Sequence, residues 1–161
     1  MKFYTFDWWC GLHNDDYYDP GQEFKKHLSS IRDRLPAGLL ALQESISLHD
    51  ARLRLIDYHC QAGGLTLHFD GADGCGVLRP DGDDGKGGLL RFTLRYLDVV
   101  SFKSLADPKV GLPGPHGFGD MGYDEADIDS DGNFEHRLLY SSGIEMQIVF
   151  RGFELNWEDA K

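Results

Sequence analysis

The sequence predicts an α+β domain, with two N-terminal helices packed on a mostly antiparallel β-sheet of about five strands. Two observations carry that prediction. Between about residues 19 and 46, apolar residues recur at helical spacing. From about 51 to 157, they alternate with polar residues in short runs, separated by stretches rich in Gly, Asp and Pro. A chain of 161 residues favours one domain, spanning 1–161. Its 41% hydrophobic content is enough to build a core.

The opening Met1 to Leu12 is aromatic, with Phe3, Tyr4, Phe6, Trp8 and Trp9, and is expected to pack on the core as a strand or short turn. Asp19-Pro20 starts the first helix. Asp19 is suited to cap the free amides, Pro20 to the first helical position, and Gln22 stands at the spacing of a capping box. Phe24, Leu28, Ile31 and Leu35 then form one apolar stripe. Pro36 ends that helix and opens a second, with Leu39, Leu42 and Ile46 on one side.

Arg52 to Cys60 reads as a strand whose phase slips near Leu55-Ile56, the mark of a bulge. Gly63-Gly64 turns the chain into a second strand with Leu65, Leu67 and Phe69 on one face. Gly71 to Gly88 reads as a long loop. A third strand carries Leu90, Phe92, Leu94 and Tyr96 and is expected to run on toward Phe102. Asp107 to Asn133 reads as a second long loop, broken by Pro and Gly. Phe134, Leu138 and Tyr140 mark a fourth strand, Ser142-Gly143 a turn, and Ile144, Met146, Ile148 and Phe150 a fifth. After Gly152 the apolar parity flips to Phe153, Leu155 and Trp157, which predicts a bulge.

Lys and Arg total 16 against 27 Asp and Glu, a net charge of −11. That balance argues against nucleic-acid backbones and against anionic membrane surfaces, and suits a basic partner, a cation or plain solubility. No run approaches the roughly 20 apolar residues of a membrane helix. Cys10, Cys60 and Cys75 show no paired spacing, so reduced thiols and a cytoplasmic protein are expected.

The sharpest motif is Asp127-Ile128-Asp129-Ser130-Asp131-Gly132 followed by Glu135. Carboxylates at alternate positions before a Gly match the start of a calcium loop, because calcium needs six or more oxygens. Asp127, Asp129, Asp131 and Glu135 are therefore the candidate metal ligands, with Asp120 or Asp124 as possible additions. The twelfth position is Leu138, where a bidentate Glu belongs, so an acidic turn closed by Asp131-Gly132 explains the same residues. Gly117-Phe118-Gly119-Asp120-Met121-Gly122 fits G-x-G-x-x-G, but no strand-to-helix context surrounds it. His49-Asp50 is the one adjacent His-Asp pair, readable either as a fragment of a hydrolytic site or as a tie at the entry to the first strand. His59, Cys60 and His68 supply at most three of the four ligands a zinc site needs.

The start Met1-Lys2-Phe3-Tyr4-Thr5 with Trp8-Trp9 resembles an uncharacterised bacterial family that opens M-K-[FY]-[FY]-T with a Trp soon after. Ser47-Leu48-His49-Asp50-Ala51 before paired strands resembles small bacterial α+β domains of immunity type. The resemblance implies a bacterial cytosolic domain, and it carries over no catalytic residue. The negative charge, the long irregular loops and the lack of a coherent active-site constellation set the function expected: a non-enzymatic, protein-binding, immunity-like protein without catalytic or cofactor residues. Two alternatives stay open: a calcium-binding module built on Asp127 to Glu135, and a hydrolase with a noncanonical site.

Overall fold

A computed structural model describes residues 1–11, 18–59, 61–71, 76–77, 90–106 and 117–159. Three helices come first. In α1 (Phe6–Trp9) the Thr5 hydroxyl accepts the Trp8 amide. In α2 (Pro20–Ile31) Asp19 Oδ1 accepts the amides of Gly21 at 2.9 Å and Gln22 at 3.2 Å, and Phe24, Leu28 and Ile31 are buried. A 3₁₀ turn, Arg32–Arg34, leads past Pro36 into α3 (Ala37–Ser45), which buries Leu39 and Leu42. Both long helices stand within the spans their periodicity predicts, but α2 ends at Ile31, before Leu35, and α3 at Ser45, so that Ile46 opens a strand instead. The rest is strand: β1 (Ile46–Ser47), β2 (Arg52–His59), β3 (Gly64–Asp70), β4 (Gly76–Val77), β5 (Leu90–Leu97), β6 (Ser101–Ala106), β7 (Met121–Ile128), β8 (Phe134–Tyr140), β9 (Ile144–Phe150) and β10 (Gly152–Asp159).

The expected architecture, two helices on one sheet of about five strands, is corrected by this count. The fold is mostly β, with two four-stranded antiparallel sheets ordered β10-β5-β3-β2 and β6-β9-β8-β7, and a small β1-β4 pair. Two features cause the difference. The run expected to continue from Leu90 to Phe102 breaks at Asp98, whose φ is 49°, and restarts as β6 in the other sheet. The stretch expected to be a loop, Asp107 to Asn133, contains all of β7.

The two sheets share one bent ribbon. β5 pairs with β10 and β6 with β9, and backbone bonds from Arg151 to Leu97 (3.1 Å) and from Val100 to Val149 (2.8 Å) carry the pairing around the corner. The parity flip at Gly152 is therefore this corner, where strands change sheets by bending. The bulge foreseen in β2 is present as a register shift between Leu53 and Leu55. At the far side the outer strands meet: Arg52 bridges Asp120, Met121 N–H donates to Ala51 O, and Asp50 N–H donates to Met121 O. Strand order thus runs around the molecule as β2, β3, β5/β6, β10/β9, β8, β7 and back to β2.

Leu65, Leu67, Phe69, Phe92, Leu94 and Tyr96 of one sheet join Leu138, Tyr140, Met146, Ile148 and Phe150 of the other in one buried cluster. α3 lies along β10 so closely that a Cβ on Gly38 would sit 3.4 Å from the Phe153 ring. Among the described residues, no helix is long and apolar enough to cross a membrane. The expected loop over residues 71–88 lies outside the described residues except for Gly71, Gly76 and Val77. His13 to Asp16, Cys60 and Cys75 are outside them as well.

Candidate functional site

The chemistry gathers around β7, Met-Gly-Tyr-Asp-Glu-Ala-Asp-Ile. Successive side chains of a strand point to opposite faces, so its carboxylates divide between two networks. Glu125 and Asp127 look outward, across from Arg137 and Glu135 of β8. Glu125 is fully buried. It accepts the backbone amides of Lys2 (2.8 Å), Phe3 (2.6 Å) and Tyr4 (2.7 Å), and Arg137 Nη1 lies 3.5 Å away. Three N–H groups converging on one carboxylate replace the water it lost. Asp127 accepts from His27 Nε2 at 2.8 Å, Lys2 Nζ at 3.3 Å and the Ile128 amide at 2.9 Å. Arg137 forks onto Glu135 at 2.8 and 2.5 Å, and Gln147 donates to the same carboxylate. The Met1 amino group pairs with Glu145. Residues 1–4 are thereby laid across the outer face of β7 to β9.

Asp124 points to the opposite face. Its Oδ2 accepts from His136 Nε2 at 2.9 Å and from Gln43 Nε2 of α3. The other ring nitrogen of His136, Nδ1, is 2.7 Å from the Tyr96 hydroxyl. We assign the proton to Nε2, so that Tyr96 donates to Nδ1 and both ring nitrogens of His136 are bonded. Burial, with help from Tyr140 and Asp124, holds the Tyr96 pKa far above its ordinary value, which keeps that donor in place. His136 is fully buried, whereas the Asp124 side chain keeps 20% of its surface.

That surface opens into a cleft of about 530 Å³ between α2, the end of α3 and the start of β7. Phe24 and Leu42 supply apolar wall, and Tyr4, Gln43, Tyr123 and Asp124 the polar part. Tyr4 and Tyr123 stack at 4.7 Å and 12°. Burial first, then Asp124 and Glu125, pushes the Tyr4 pKa up to about 12, so its hydroxyl stays neutral. Gly122 is required here: a Cβ on it would meet the Trp9 ring at 2.4 Å. The aromatic opening residues thus serve as packing, as α1 lies against β7.

The four expected calcium ligands do not form one site. Asp127 and Glu135 are a cross-strand pair tied to the cations named above. Asp129 sits in the β7-β8 turn, where its carboxylate accepts the amides of Asp131 (2.9 Å) and Asn133 (2.8 Å) and the Asn133 side chain. Those hydrogen bonds, Asn133 foremost, lower its pKa. Asp131 is exposed, and Gly132, at φ 83°, closes the turn. Among the described residues no group of three or more His, Cys, Asp or Glu side chains is arranged to hold a metal ion. Gly117 to Gly122 runs into β7 rather than a helix, so no helix N-terminus faces it. His59 lies 3.4 Å from Asp57, and His68 lies 3.4 Å from Thr93.

The structure does bring His49 to the cleft. Its Nδ1 is 3.1 Å from Asp50 Oδ1, its ring edges onto Tyr123, and its amide donates to Ser47 Oγ at 3.3 Å. Asp50 holds φ 65°. Asp124, Gln43 and His136 are the site residues that the sequence reading missed as a group. Their signal is the polar alternation of β7, visible only once 121–128 is taken as a strand. No protein-family model matches the chain, and no curated protein matches it significantly.

Proposed function

We propose that this is a non-enzymatic cytoplasmic binding protein, acting in the manner of an immunity protein by occupying a protein partner at the cleft. The observation that carries the reading is a preformed, open cleft with fixed polar groups. Asp124 is held from behind by His136 and Gln43, and Tyr123 by Tyr4 and the α1 tryptophans. Rigid polar groups with an apolar surround are what recognition needs, because little ordering entropy is lost on binding. The exposed free thiol of Cys10 fits a reducing compartment.

The test is affinity capture from the native host with the full chain and with Ser29→Trp, which fills the cleft from an exposed position on α2. One stoichiometric protein retained by the wild type and lost by the variant supports the reading. Equal retention by both, or no retained protein, sinks it.

One observation favours a second reading, a hydrolase. Asp50 orients His49 at the cleft wall, the arrangement of a general base and its support. Such a base acts on small activated esters by taking a proton from the attacking water. If His49→Ala leaves ester hydrolysis at the wild-type level, this second reading fails.

A further inference from the structure

Strands β7, β8 and β9 carry five partly or fully buried carboxylates, and four of them face a cation. Glu125 has Arg137, Asp127 has Lys2 and Arg137, Glu135 has Arg137, and Glu145 has the Met1 amino group. Asp124 differs. Its partners are the imidazole to which we assigned a proton on Nε2 and a carboxamide, and both bonds fall on Oδ2. In that assignment neither donor cancels the charge of the carboxylate. Among the described residues Oδ1 has no hydrogen-bond donor. Of the two carboxylates that line the cleft, Glu44 is paired with Arg32, whereas Asp124 has no Lys or Arg within ion-pair distance among the described residues and stands beside the stacked Tyr4-Tyr123 pair.

We infer that the cleft receives one arginine side chain of the partner, its guanidinium paired with Asp124 and lying against Tyr4 and Tyr123. The inference rests on the binding-protein reading above. Arginine fits better than lysine because its planar, weakly hydrated head can bond a carboxylate and contact aromatic rings together. The Tyr4 and Tyr123 hydroxyls are further acceptors within the same wall. Lys25 also lines the cleft and opposes a second cation, so the fit is one arginine rather than a polybasic tract. The net charge of −11 draws such a segment in from a distance.

The test titrates the full chain with a fluorescein-labelled, end-capped Gly-Gly-Arg-Gly-Gly peptide, read by anisotropy. Asp124→Asn should weaken binding about tenfold or more, the range expected for losing a charged partner in a cleft. Glu154→Gln, which removes the same charge on exposed β10, should change it less than about twofold, because exposed charges are screened. Lys25→Glu, at an exposed position, should strengthen binding several-fold, which keeps the test alive should Asp124→Asn fold poorly. A lysine version of the peptide should bind several-fold less tightly. No binding by the wild type overturns the inference, and so does equal loss in the Asp124 and Glu154 variants or equal affinity for the lysine peptide. If the peptide fails while Ser29→Trp still loses a captured partner, the cation is wrong and the cleft reading survives. If no partner is captured, the binding reading itself falls.

Discussion

Glu125 is the residue on which the N-terminal segment hangs. A buried carboxylate is tolerated only when it is fully bonded, and here the backbone amides of residues 2 to 4 do most of that bonding. Glu125→Gln turns one acceptor oxygen into an NH₂ group facing those N–H donors. The expected loss is about 2–4 kcal/mol, from an unsatisfied buried donor set plus a lost charge, read from urea unfolding curves. A loss below about 0.5 kcal/mol would show that residues 1–4 are not anchored there. Asp127 makes a different prediction. Burial works to raise its pKa, but bonds from the Ile128 amide, His27 and Lys2 outweigh burial and hold it below the ordinary 3.8. A carboxyl depressed in the folded state contributes stability above its unfolded pKa, and that stability is lost as pH falls through the folded value. Wild-type stability should therefore drop more steeply than that of Asp127→Asn as pH is lowered below about 3.8, and the two should run parallel above pH 5. Parallel curves throughout would mean the bonds do not hold the carboxylate.

At the scale of elements, legibility followed whether one rule was enough. α2 was readable because its cap and its apolar period agree: Asp19 caps, Pro20 fits the first turn, and Phe24, Leu28 and Ile31 are buried, while α3, without a side-chain cap, was readable from Pro36 and the buried Leu39 and Leu42. The hairpin around Ser142-Gly143 was readable for the same reason, with Gly143 at φ 78°. β7 was not, because Asp124, Glu125 and Asp127 occupy positions where strand patterns are recognised by apolar residues. Only the tertiary partners Arg137, His136 and the opening amides make those carboxylates acceptable in a strand. The site was lost with the strand, and the visible Asp spacing pointed instead to calcium. The β7-β8 turn explains that spacing, since Asp129 is consumed by its own turn amides. Millimolar calcium against EDTA should accordingly leave the melting temperature unchanged. A clear rise that disappears in Asp129→Ala would restore the metal reading. The corner at Asp98 was also hidden, since the apolar parity of Leu90 to Tyr96 misses only at Asp98 and resumes at Val100 and Phe102. Its φ of 49° is left-handed, which Asp tolerates and a β-branched residue does not. Asp98→Val should cost about 1–2 kcal/mol, while Asp98→Gly should be neutral or stabilising, both read by thermal melts.

The whole molecule is held by contacts that ignore the division into sheets. The β5/β6 and β9/β10 ribbon belongs to both sheets, and the Arg52–Asp120 bridge joins their outer strands. The buried Tyr96–His136 bond ties β5 of one sheet to β8 of the other, and Asp124 carries the link on to Gln43 of α3. Neither sheet buries its inner face alone. Leu65, Leu67, Phe92 and Leu94 need Leu138, Met146 and Ile148 opposite them, with Leu39 and Leu42 beside them in the same cluster. Loss of any one layer exposes apolar surface on the others, at about 25 cal/mol per Å², so partial unfolding is unfavourable. The described residues are therefore expected to unfold as one cooperative unit. Far-ultraviolet circular dichroism, which follows the strands, and tryptophan fluorescence in a Trp157→Phe background, which follows Trp8 and Trp9 against Tyr123, should then give one coincident urea transition. His136→Leu should shift that shared midpoint without separating the two signals, because the same hydrogen bonds hold both sheets. A fluorescence transition that precedes the loss of dichroism would instead mean that the opening segment and the cleft wall come away from an intact β structure.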